Sequence, residues 1–161
     1  MNYKLFSYLM MILVFVSYVV FIWSRYGIQK SISASYYVLP EKINVLFTLF
    51  CWGFAFPAII VAQTPLMFLA GSAIVFVGAA ARFKEKLTKS VHMISATIGV
   101  ILSQASIFFD YHLWHLNAIF VLSSLIILGV LYFKHIDKYI WWIEIFAFST
   151  ICIALGINSI F

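Results

Sequence analysis

Six stretches of the chain are apolar and nearly free of charge, and each is long enough, or almost long enough, to cross a lipid bilayer as a helix. They cover residues 5–23, 43–62, 66–81, 91–109, 116–133 and 140–160. A bilayer core of ~30 Å takes about 20 residues of α-helix, and a segment inside it must satisfy its own backbone hydrogen bonds. Continuous apolar runs do so as helices, whereas a membrane barrel needs short runs of alternating polarity. The expected fold is therefore an all-α, polytopic helix bundle of six transmembrane helices in a single domain, 1–161. Composition agrees. The chain is 65% hydrophobic and 9% charged, against about 25% charged in soluble domains. Folded in water, it would expose large aggregating patches.

The basic residues orient the bundle. Arg25, Lys30 and Lys42 lie in the first gap, Arg82, Lys84, Lys86 and Lys89 in the third, and Lys134 and Lys138 in the fifth. The second and fourth gaps hold no Lys or Arg. Under the positive-inside rule the odd gaps face the cytoplasm and both termini lie on the non-cytoplasmic side, most naturally in a bacterial cytoplasmic membrane. The net charge of +5 is spread over short juxtamembrane loops. It suits anionic lipid headgroups and not a nucleic acid, which needs a clustered basic surface. Lys4 and the run after it have the outline of a signal peptide. The run is longer than such a core, and no small-residue cleavage site follows, so a retained first span is expected.

Several features read as architecture. Cys51 and Cys152 lie inside spans without a CxxC partner and read as packing residues. Ala70, Gly71, Ala73 and Gly78 in the third run, and Ser95, Ala96, Gly99, Ser103 and Ser106 in the fourth, form small-residue faces. Such faces suit close packing of those two helices and self-association into a homo-oligomer. Trp23, Trp114, Trp141 and Trp142 sit near span ends, as an interfacial belt does, while Trp52 lies within the second run and reads as packing. Pro57 interrupts the backbone bonding of that same run. The first gap contains Ser31-Ile32-Ser33-Ala34-Ser35-Tyr36-Tyr37. Its alternation of polar and apolar residues suits a segment that lies in the interface or folds back between helices.

Polar groups at membrane depth are the candidate functional residues. On the inner side these are Ser33, His92 and Ser95, His135 and Asp137 of the fifth gap, and Glu144 about one turn into the last run. His92 and Ser95 share a helix face. Ser33, His92, Ser95 and Glu144 could serve acid–base chemistry, and His92, His135 and Asp137 could hold a metal such as zinc. On the outer side Asp110, His112 and His115 have ligand-type side chains at HxxH spacing, three apart on one helical face if the segment is helical. Gln104 is the deepest strongly polar side chain and reads as an interhelical hydrogen-bonding residue. No nucleophile elbow, HExxH or phosphate-binding loop is present, and no cofactor is evident.

Two short segments carry a resemblance. Ser31-Ile32-Ser33-Ala34-Ser35-Tyr36-Tyr37 and Val91-His92-Met93-Ile94-Ser95-Ala96 resemble patches of a group of small bacterial polytopic membrane proteins of unknown function, the DUF998-like group. A more distant similarity is to the membrane hydrolases that include alkaline ceramidases and progestin/adiponectin-receptor-like proteins. That similarity implies a seventh span and a zinc site built from Ser, Asp and several His. The present chain has six runs and lacks the C-terminal HxxxH. The expected function is a non-enzymatic transport, channel or membrane-associated component. The alternative is a membrane-embedded lipid hydrolase at the cytoplasmic face, with or without a metal ion. Single-cysteine labelling in intact cells is expected to place the gap carrying Lys84 and Lys86 on the cytoplasmic side; labelling from outside would reverse every face assignment.

Overall fold

The computed structural model describes residues 3–80, 86–134 and 137–160, and all of their regular structure is helical. The helices are α1 (Tyr3–Tyr26), α2 (Ser35–Val38), α3 (Val45–Ala62), α4 (Pro65–Ala80), α5 (Lys86–Phe109), α6 (Trp114–Phe133) and α7 (Tyr139–Ile160). Five of them, α1, α3, α5, α6 and α7, are long and apolar enough to cross a membrane, which makes this an integral membrane chain. The apolar α4 has 16 residues, or about 24 Å of rise, somewhat short of a full hydrocarbon core.

Local chemistry sets the boundaries. Helix α1 stops where Gly27 takes a left-handed φ of 74° and its amide closes on the Trp23 carbonyl at 3.0 Å, a glycine-terminated C-cap. Helix α3 runs through Pro57 and ends at Gln63, whose φ of 54° is the same left-handed turn made without a glycine. Thr64 then caps α4, its hydroxyl accepting the Met67 amide at 3.3 Å, and Pro65 occupies the first helical position.

The six helices other than α2 close into a ring in chain order: α1 packs on α3, α3 on α4, α4 on α5, α5 on α6, α6 on α7, and α7 back on α1. Helix α7 also reaches α3 and α5 and so lies nearest the middle. Its Phe148 is the hub of the aromatic core, with ring centroids 5.4 Å from Phe15, 5.7 Å from Phe50 and 4.7 Å from Phe54. Helix α1 turns Met11, Phe15, Tyr18 and Ile22 inward at alternating spacings of four and three, while Leu9, Leu13, Val16 and Val20 face outward. In a bilayer an outward apolar face meets lipid, so close packing and hydrogen bonds hold the helices together.

The α4–α5 pair is the most extensive helix contact, as the small-residue faces lead one to expect. A Cβ added to Gly99 would touch Ile74 and Ala73. Part of these faces is covered within the chain itself, Gly71 by Ile59 of α3 and Gly78 by Cys51. The belt reading also needs one correction. Trp23 and Trp114 are exposed, but Trp141 is buried beneath the first loop, its amide bonded to the Lys30 carbonyl at 3.2 Å. Trp52 is on the outer surface and ties α3 to α4 through its indole N–H and the Val75 carbonyl, 3.2 Å apart.

The close α3–α4 approach generates a prediction. A Cβ at Gly78 would come 2.7 Å from Cys51 Cβ, so Gly78→Ala should cost about 1–3 kcal/mol through overpacking. At Gly129 a Cβ meets nothing within 4 Å, so Gly129→Ala should be neutral or stabilising by up to ~1 kcal/mol. Thermal unfolding in detergent compares the two.

Candidate functional site

The first loop folds back into the end of the bundle. Ile32, Ser35 and Leu39 are buried, although their segment joins two long helices. Two side chains from other helices hold it there. Glu144 of α7 accepts the amide of Ile32 through Oε2, and the adjacent Ser33 amide bonds to the same carboxylate. On the α1 side the Ser35 hydroxyl donates to the Ile32 carbonyl at 2.5 Å, which commits its one proton. Tyr18 therefore donates to Ser35, at 2.6 Å, while its ring stacks on Phe50 with centroids 4.3 Å apart. The Ser31 hydroxyl accepts the Ala34 amide and lies 2.9 Å from that of Ser33. Every one of these bonds satisfies backbone or hydroxyl groups that helical structure leaves open.

Beneath this loop lies a narrow cavity between α3, α4, α5 and α7. Its volume is about 50 Å³. Phe47, Phe50, Cys51, Ile74, Val77, Gly99, Phe148 and Ile151 make its walls apolar; Ser33 and Glu144 stand at the loop end and Ser103 at the other. His92 and Ser95 are not among its lining residues. His92 is half-buried, packs beside Phe47 with ring centroids 6.2 Å apart, and bonds to the Val77 backbone of α4. The inner candidates therefore divide. Ser33 and Glu144 meet, whereas His92 serves the α4–α5 contact. Asp137 is exposed and pairs with Lys30 at 3.3 Å, and His135 lies outside the described residues.

The outer candidates separate as well. His112 occupies a left-handed turn with φ 55°, and α6 begins only at Trp114, so the HxxH spacing does not fall on one helical face. His112 and His115 are exposed. Asp110 turns instead to its own helix, accepting from the Ser106 hydroxyl at 2.7 Å. Since that proton is committed, Thr64 donates to Ser106, at 3.2 Å. Tyr111, its phenol pushed up to about 12 chiefly by burial, stays protonated and donates to the Ala62 carbonyl at 3.3 Å. This network clamps the α3–α4 turn to the end of α5. Among the described residues no group of three or more His, Cys, Asp or Glu side chains is placed to hold a metal ion.

Gln104, read from the sequence as an interhelical hydrogen-bonding residue, is one, and it centres a third polar group between α5, α6 and α7. Gln104 Nε2 donates to Thr150 Oγ1 at 3.0 Å, and Asn117 Nδ2 donates to Gln104 Oε1 at 3.0 Å and to the Gln104 carbonyl at 2.9 Å. The depth of Gln104 was a usable signal; its partners on two other helices carried none.

Compared with protein-family models, curated proteins and solved structures, the chain matches none.

The loop latch is testable through stability. Glu144→Leu leaves two amides without their acceptor and should cost about 1–3 kcal/mol for each. Glu144→Gln keeps an acceptor oxygen and should retain most of the stability. Unfolding in detergent, followed by Trp141 fluorescence beneath the loop, reads both variants.

Proposed function

We propose that the chain is a six-span protein of a bacterial cytoplasmic membrane that binds or passes a small species through the cavity beneath its first loop. In this reading α4 is the sixth span and the odd gaps are cytoplasmic. The protein acts as a non-enzymatic transport or channel component. One observation carries it: Glu144, a carboxylate a turn inside α7, stands at the end of an apolar cavity bounded by four helices. Carboxylates at such positions are costly and mark substrate or ion pathways. Two loop amides could be capped by a neutral side chain at lower cost, so holding the loop does not by itself account for a charge-bearing group there.

Native Cys51 lines the same cavity and reports on it directly. In a Cys152→Ala background reconstituted in liposomes, a small membrane-permeant methanethiosulfonate should modify Cys51. The rate should rise at least tenfold in Glu144→Ala, where the latch is lost. Cys51 inert in both proteins would overturn the reading.

A second reading, a lipid hydrolase at the same face, draws on Ser33 and Glu144 sharing one cavity wall. Stoichiometric zinc on the purified protein, lost in His92→Ala, would establish it in place of the first.

A further inference from the structure

The cavity and the outer network lie end to end along one face of α5. Ser103, Ser106 and Asp110 follow one another at spacings of three and four, so they share that face, and both serines are fully buried. At the outer end Thr64, Ser106 and Asp110 already form a continuous run of hydroxyl-to-carboxylate hydrogen bonds. Ser103 stands one turn away, about 4.5 Å along the axis, and is the polar group at the deep end of the cavity. Its hydroxyl ties no two helices together. It donates to the Val100 carbonyl of its own helix at 2.9 Å.

The remaining distance matches the room available. The cavity extends from Ala96 to Ser103 along α5 and from Glu144 to Ile151 along α7, about 10 Å in each case. Its volume of about 50 Å³ accommodates roughly three to five water molecules at ~10–15 Å³ each. Three waters in file join two end groups by four hydrogen bonds of ~2.8 Å each, about 11 Å in all. The other titratable groups near this line are accounted for. Cys51 of α3 lines the wall, Tyr18 of α1 bonds to Ser35, His92 of α5 bonds to the Val77 backbone, and Tyr111 bonds to the Ala62 carbonyl.

We propose that the bundle conducts protons between its two ends, with Asp110 and Glu144 as the terminal carriers and Ser106, Ser103 and a transient file of water between them. The proposal rests on the transport reading above and names its transported species. A proton bound at one carboxylate is handed through the hydroxyls and water to the other carboxylate, which releases it to the opposite solution. Nothing is consumed, and the membrane potential or pH difference sets the direction. The apolar walls make wetting of the cavity the gating step, as in hydrophobic constrictions of channels.

The test is proton flux into vesicles of phosphatidylethanolamine and phosphatidylglycerol that hold the full chain and an internal pH-sensitive dye, driven by a valinomycin-clamped potassium gradient. Wild-type flux should exceed that of protein-free vesicles at least tenfold. Asp110→Asn, Glu144→Gln and Ser103→Val should each reduce it at least tenfold while eluting as folded protein. Thr97→Ala, on the exposed face of α5, should leave it unchanged. Wild-type flux at the protein-free level overturns the proposal, as does full flux in folded Asp110→Asn. Neither result touches Cys51 accessibility, so the broader transport reading stands or falls separately.

Discussion

Backbone amides that leave a helix inside a bilayer need acceptors from the protein, because lipid offers none. The arrangement at the end of the bundle that carries the first loop follows from that constraint. The first loop leaves α1 at Gly27 and re-enters the bundle with its chain mostly non-helical, burying Ile32 and Ser35. Its open amides are taken by Glu144, and its buried hydroxyl by Tyr18. Once held, the loop covers Trp141 and closes the end of the cavity between α3, α4, α5 and α7. One carboxylate thus joins α7 to a segment more than a hundred positions earlier.

The rest of the bundle is built to keep that end fixed. Phe148 locks α7 against α1 and α3 through three aromatic contacts, each worth about 0.5–1.5 kcal/mol beyond simple burial. Small residues bring α4 close to α3 and α5, which leaves the cavity narrow. At the opposite end the Thr64–Ser106–Asp110 network and the Tyr111–Ala62 bond fasten the α3–α4 turn to α5.

The elements were largely legible because run length and polarity are local properties. Each expected span overlaps a helix, with α5 starting earlier at Lys86 because its first turns are helical though polar. The close approach of α4 and α5 was legible from the spacing of Gly99, Ser103 and their neighbours. The alternation of Ser31 to Tyr37 left open a segment lying in the interface or one folding back between helices, and it is the burial of Ile32 and Ser35 that decides for the second. What was not legible depended on register between distant segments. Nothing near Glu144 announces Ile32 as its partner, and nothing near Trp141 says that a loop will cover it. The HxxH spacing misled for a local reason: His112 takes a left-handed turn that breaks the helix the spacing assumes.

The account therefore centres on one contact, and the function proposed for the cavity depends on the loop being seated by it. Hydrogen–deuterium exchange of the Ile32 and Ser33 amides, in protein held in lipid nanodiscs, addresses that contact most directly. Strong protection of both amides in the wild type, lost in Glu144→Leu and kept in Glu144→Gln, is the predicted result. Rapid exchange of both amides in the wild type would contradict the account.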